Sequence, residues 1–297
     1  MITNSLLALA LVFGLAPADE THTIKSKKSA KGDVTLIEDQ EEGENQMVLT
    51  VGGKEVPTPQ GMGKEGKSEV YVETILEKPE KADKATSLKR KYEKARVTKE
   101  GKEATRVYEG KTVLIDKKGD KYQFQIDGGK ELTGKDAEAL DKEFNKKDGL
   151  SEDELEKLIL PTKPVKVGDT WKIDAEKLFK GANSEIGLTG EGAKGTGKLI
   201  EVYEKNGHKF GKMDIDLEAP ITKFGDEKVK FKVADGSKLK MVFHVDVCID
   251  GTSGDGTMKG DMAMDVEGTF DANGMEAKMV LHAKNKTTKK GTDQTKK

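Results

Sequence analysis

The chain has 297 residues, of which 36% are charged, 34% apolar and 5% aromatic, and Lys/Arg and Asp/Glu nearly cancel at a net charge of -2. With both signs interspersed and few aromatics, there is no basic, aromatic-studded face for nucleic acid. The single cysteine, Cys248, excludes an intramolecular disulfide, so a lean core must hold the fold.

Residues 1–18 read as a secretory signal peptide. Leu6 to Leu15 is an unbroken apolar run too short to span a bilayer as a helix. Ala16-Pro17-Ala18 then fits a small-x-small cleavage site, although Met1 to Ser5 contains no Lys or Arg. This predicts an exported protein, periplasmic or extracellular, whose mature chain begins at Asp19. No later segment is long and apolar enough to cross a membrane as a helix.

Val34 to Ile37 and Met47 to Val51 have the composition of short strands, separated by an acidic, glycine-containing turn. Gly52-Gly53, Pro57, Pro59, Gly61, Gly63 and Gly66 mark a loop, and Glu69 to Leu76 resumes the strand pattern. Ser87 to Val97 is ambiguous: its Lys/Arg/Glu content suits an exposed helix, yet Leu88, Tyr92, Ala95 and Arg96 form no apolar stripe. Val113 to Asp116 and Tyr122 to Ile126 form a hairpin across Lys117-Lys118-Gly119-Asp120.

Between 133 and 160 the period changes. Thr133 and Asp136 are placed to start a helix running to about Asn145. Ser151 and Glu154 make a capping box for a second helix, with Leu155, Leu158 and Ile159 on one face and Pro161 as the stop. After Trp171 the chain returns to β. Leu199 to Glu204 and Lys209 to Glu218 pair across Asn206-Gly207, a strong hairpin signal because both turn positions tolerate positive φ. Leu239 to Asp250 follows. From Met258 to Phe270 apolar or small residues hold the even positions and polar ones nearly all the odd positions, the period-two signature of a strand with one dry face. Met275 to Ala283 follows Asn273-Gly274. From Lys284 the tail holds six lysines against one Asp and no apolar residue, which predicts disorder.

The segment Leu160-Pro161-Thr162-Lys163-Pro164-Val165-Lys166-Val167-Gly168-Asp169-Thr170-Trp171-Lys172 resembles a signature of an uncharacterised family of exported bacterial β-rich proteins, in which Lys-Pro-Val-x-Val-Gly-Asp-x-Trp follows a Leu-rich helix. The resemblance implies a curved antiparallel sheet like the half-barrels of periplasmic lipoprotein carriers, and brings no catalytic residues with it. Read from the residues themselves, Pro164 keeps the chain extended, Gly168-Asp169 turns it, and Trp171 anchors a new strand in the core.

The expected fold is therefore mainly β (α+β): curved antiparallel sheet or half-barrel with a two-helix connector in the middle of the chain. The β-rich region spans 19–286, with blocks at 19–132 and 169–286 on either side of a connector at 133–168, and a disordered basic tail at 287–297.

Met213, Met241, Met258, Met262, Met264, Met275 and Met279, with Phe243, fall on inner positions of neighbouring strands. Methionine is flexible and polarisable, so such a wall suits an irregular apolar ligand, while the simpler reading is a core that lacks aromatics. His244, Asp246, Cys248 and Asp250 alternate along one strand, where next-but-one residues stand ~7 Å apart. At most two could share an ion, with others such as His282 supplied from elsewhere, so no metal site is expected. Asp250 to Gly256 reads as a turn, Asn145 to Gly149 fails the EF-hand spacing, and Gly187 to Gly197 lacks a P-loop Lys-Ser/Thr. No catalytic constellation, cofactor motif or nucleic-acid partner is indicated. The expectation is a non-catalytic extracytoplasmic binding or carrier module for an apolar ligand such as a lipid; the alternative is a structural or protein-interaction component of the cell envelope.

Overall fold

A computed structural model describes residues 20–57, 63–80, 82, 84–145, 150–181, 188, 190–225 and 230–295, so residues 1–18, read in the sequence as a signal peptide, lie outside the described residues. In chain order the elements are β1 (Val34–Val51), β2 (Lys54–Val56), β3 (Gly63–Glu77), β4 (Ser87–Lys99), β5 (Lys102–Thr105), β6 (Thr112–Lys118), β7 (Lys121–Ile126), α1 (Glu138–Phe144), α2 (Glu152–Ile159), β8 (Thr170–Lys172), α3 (Ala175–Gly181), β9 (Lys194–Lys205), β10 (His208–Pro220), β11 (Lys232–Val233), β12 (Lys238–Cys248), β13 (Gly256–Ala272) and β14 (Met275–Asp293).

The strands form one open, curved antiparallel sheet in the order β7-β6-β4-β3-β1-β14-β13-β12-β10-β9-β8, with the short strands β2, β5 and β11 pairing to β1, β4 and β13. The mainly β expectation holds. Both β-rich blocks contribute to this sheet, because β1 pairs with β3 on one side and with β14 on the other. The inner face carries the helices. Near one end, Leu140 and Phe144 of α1 pack on Tyr71, Tyr92, Val113, Ile115 and Phe124. Near the other, Phe179 of α3 packs with Ile173, Ile215, Leu217 and Leu239.

Two expectations about charged segments are corrected. The acidic stretch taken as a turn is the middle of β1, which runs unbroken for 18 residues. The lysine-rich tail, expected to be disordered, continues β14 to Asp293, and Gln294 N–H still donates to the Val34 carbonyl at 2.8 Å. The two misreadings share a cause. Glu38, Glu42 and Glu44 stand opposite Lys290, Lys286 and Lys284, and Glu38 meets the Lys290 ammonium at 2.6 Å. On the other flank of β14, Asp261 opposes Lys286 and Asp265 meets His282 Nδ1 at 2.7 Å. Each strand alone is too like-charged to order; together they form a cross-strand ladder of opposite charge.

Ser87 to Val97, equivocal in sequence, is β4. Leu88, Arg90 and Tyr92 point into the core while Lys89, Lys91 and Glu93 face solvent. In the connector, Thr133 makes no side-chain cap; a 3-10 turn at Gly134–Asp136 precedes α1 instead. The Ser151/Glu154 capping box of α2 is present, with both reciprocal bonds made. α3 was not anticipated, although Asp174, whose carboxylate accepts from Lys177 N–H at 3.2 Å, is a legible start signal.

Trp171 does anchor β8. Its indole N–H donates to the Ile159 carbonyl at 2.7 Å, and its ring lies so close over Gly197 that an added Cβ would sit 2.2 Å from the indole. Gly197→Ala should therefore displace the ring at a cost of about 1–3 kcal/mol. Because Trp171 is the sole tryptophan, the displacement should appear as a red-shifted emission spectrum alongside a lower urea midpoint. For the charge ladder, the amides of residues 285–293 that pair in the sheet should exchange as slowly as those of β13. The double variant Glu42→Lys/Glu44→Lys should lose roughly 0.2–1 kcal/mol per reversed pair. Exchange within seconds over 285–293 would refute the strand.

Candidate functional site

The inner face of β10, β12, β13 and β14 is set by register. Leu217 lies opposite Met241, Met241 opposite Met262, Leu239 opposite Met264, and Val245 opposite both Met213 and Met258. Met213 and Met279 are 2% and 8% exposed and belong to the core. Met241, Phe243, Met258, Met262 and Met264 are only half-buried. Met275 shares their parity but stands at the hairpin tip, 53% exposed, and is not part of this wall. The Phe243 ring lies over Gly260, and Phe231 lies over Gly268, each too close for a Cβ at that position.

An N-terminal strap preceding β1 crosses this face. His22 bridges Val165, and Lys25 bridges Asp250. Beneath the strap lies a cavity of about 300 Å³ whose apolar lining includes Ile24, Leu160, Met213, Ile215, Val245 and Val247. A second hollow of about 450 Å³, between the strap and α2, shares Ser26, Lys27 and Leu160 with it. The strap is pinned by Lys27, whose ammonium bonds Asp293 at 2.7 Å and Asp33 at 3.2 Å, and by Lys28, which bonds Asp153 at 2.6 Å and also Glu156. Burial opposes the charge on Asp293, yet Lys27 and the N–H groups of Thr295 and Gly254 hold its carboxyl well below the usual carboxylate range. Sequence patterning missed the strap, because residues 20–30 have no period of their own.

Toward β3 and β4 the same face turns polar. Lys67 bonds Asp39 at 2.9 Å and Glu41 at 3.0 Å. The Asn285 side-chain oxygen is buried with no partner among the described residues. Beyond it, Arg90 is sandwiched between the Tyr71 and Phe144 rings at 4.4 and 4.8 Å and bonds Glu73 at 2.8 Å and both oxygens of Glu143 at 2.9 and 2.6 Å. Burial pushes the Glu69 carboxyl above its ordinary range, its ion-pair partner Arg106 being 3.6 Å away. The apolar wall thus adjoins a charged strip on one continuous surface.

The alternating His/Asp/Cys/Asp row does not gather. His244 bonds Asp214 at 2.7 Å, and Asp246 accepts from the Tyr203 hydroxyl at 2.7 Å. Only Cys248 and Asp250 remain together, with Sγ 3.0 Å from the Asp250 carboxylate.

No protein-family model and no curated protein matches the chain. Among solved structures, it is similar to lipovitellin, from a study of lipid–protein interactions, at 10% identity and a TM-score of 0.37 over 87% of this chain. The chain spans a quarter of that protein's length, 25%. It is also similar to an outer membrane channel from Pseudomonas putida F1, at 9% identity and a TM-score of 0.19, covering 90% of this chain and 98% of the other. TM-scores this low do not establish a shared fold. Among the described residues no helix is long and apolar enough to cross a membrane.

The strap clamp has a predicted acid response. A carboxyl whose folded pKa lies below its unfolded value adds stability above the unfolded value, about 3.9 for Asp, and that stability is lost as pH falls toward the folded one. Acidification below about pH 4 should therefore release Asp293 from Lys27 and loosen the strap. Limited proteolysis at 20–30 should speed up over that window, and Asp293→Asn should make cleavage already fast at neutral pH. Equal rates in both proteins at neutral pH would show that the clamp does not hold the strap.

Proposed function

We propose that the chain is an exported, non-catalytic binding or carrier module for an apolar ligand such as a lipid chain, held between the inner face of the sheet and the N-terminal strap. The observation that carries this reading is the partly open methionine wall beside an apolar cavity. Val245 lines the cavity and is paired with Met258, so the hollow and the half-buried thioethers are neighbours. Flexible thioethers adapt to irregular aliphatic shapes, and about 300 Å³ falls within the range of small-molecule sites, roughly 300–1,000 Å³. Export rests on the pattern of residues 1–18.

Protein recovered from the exported fraction should have an intact mass that places its first residue at Asp19. Organic extraction followed by mass spectrometry should release a co-purified lipid, and a fluorescent acyl probe should bind at one site. Val245→Asp, which puts a charge into the cavity wall, should weaken probe binding at least tenfold. Ile200→Asp, at an exposed position, should leave it unchanged, with circular dichroism confirming that both variants fold. An empty extract together with no probe binding would replace the carrier reading with a structural or protein-interaction component of the envelope.

A further inference from the structure

We infer that the end of β10 and β12 carries a site for a borderline divalent cation such as zinc, held by His208, Cys248 and Asp250. The turn at Asn206-Gly207, with φ of 54° and 77°, starts β10 at His208. The register Phe210 opposite Cys248 continues through the bond from Ile249 N–H to the Lys209 carbonyl at 2.8 Å, which brings His208 across from Asp250. One ring nitrogen, the sulfur and one carboxylate oxygen all lie within 4.8 Å of one another. This grouping was invisible along the sequence, because His208 sits forty residues before Cys248 and joins it only through strand pairing.

All three groups surround one hydroxyl. Thr252 Oγ1 is 2.6 Å from His208 Nδ1 and 3.8 Å from Cys248 Sγ, and it donates to Asp250 Oδ1. Around a tetrahedral ion with bonds of about 2.0–2.3 Å, donor atoms stand roughly 3.3–3.8 Å apart. The His208 nitrogen therefore needs to move in by about 1.5 Å at most, with the Thr252 side chain rotating out of the centre. Cys248 is 4% exposed and forms the floor, while Asp250 is exposed and His208 half-buried at the mouth.

The chemistry fits one class of ion. A thiolate, an imidazole and a carboxylate form a mixed S/N/O set suited to zinc and its neighbours, whereas calcium and magnesium favour oxygen alone. Asp250 is held in place from behind: Lys209 N–H donates to Oδ2 at 2.8 Å and Thr252 N–H to Oδ1 at 2.9 Å, the outer-shell support that orients a ligand. Burial works against the charge on this carboxylate, yet the Cys248 thiol, these two N–H groups and the Thr252 hydroxyl together keep it below the ordinary range. On binding, the metal–sulfur bond replaces the S–H bond and one proton passes to solvent. The anionic thiolate and carboxylate together balance the charge of the ion. Water or the Thr252 hydroxyl completes four-coordination. Cys248 also lines the cavity beneath the strap, but the site uses none of the methionines, and zinc binding is read separately from acyl-probe binding.

The test is calorimetric titration of the full chain with zinc chloride, with cobalt(II) as the spectroscopic probe. One equivalent should bind, cobalt should give a sulfur-to-metal charge-transfer band, and affinity should fall with pH as the released proton competes. Calcium and magnesium should not bind there. Cys248→Ser should abolish the band, and Cys248→Ser and His208→Gln should each weaken zinc binding more than tenfold, with circular dichroism showing intact folds. Absence of stoichiometric zinc binding, absence of the sulfur–cobalt band, or unchanged affinity in either variant would overturn the site.

Discussion

β1 and β14 lie side by side near the middle of the sheet, and the rest of the structure depends on that pairing. Their register runs from Thr35 opposite Asp293 to Val51 opposite Ala277, so the strand nearest the described N-terminus meets the strand nearest the C-terminus. On the solvent face the pairing joins glutamates to lysines. On the inner face it joins Leu49 to Met279 and Met47 to Leu281. Without it the sheet would separate into β7-β6-β4-β3-β1 and β14-β13-β12-β10-β9-β8. Such a contact closes almost the whole chain as a loop, the kind of non-local pairing that slows folding.

Much of the fold was legible because most strands obey a clean period of two. The rows Met213, Ile215, Leu217 and Leu239, Met241, Phe243 sit where alternation put them. What alternation could not convey is what a strand faces across the sheet. Glu38 to Glu44 and Lys284 to Lys290 each look unable to order, since each carries one sign of charge and little apolar area. Partnership supplies the missing term. Arg90 was obscured for a related reason: a guanidinium on an inward position breaks an apolar pattern unless its carboxylates and aromatic neighbours, which come from β3 and α1, are already known. Of the candidate site, the methionine row was legible and its neighbours were not. The strap over it has no period, and Met275 shows that correct parity at a strand end does not guarantee a place in the wall.

The inner surface changes character along the sheet. Under α3 and the strap it is aliphatic and thioether-rich; across β1 and β3 it carries Asp39, Glu41 and Lys67; under α1 it becomes an aromatic core threaded by Arg90. A sheet this wide has more inner surface than the three short helices among the described residues cover. The charged strip is the part that tolerates solvent, since Lys67 reaches both carboxylates. The apolar part is the one that gains from cover. The strap, pinned by Lys27 and Lys28, lies over that region.

The two margins of the sheet are its shortest main-path strands: β8 has three residues and β7 six. β8 runs into α3, and the segment after β7 folds back to bridge Gln125 with Glu131. Unpaired strand edges are templates on which another chain can add, and short, covered ones offer little template. The longest ribbons, β1, β13 and β14, have neighbours on both sides. The molecule therefore keeps its longest and most adhesive backbone ladders internal, already paired on both flanks, and leaves its shortest strands to face incoming chains.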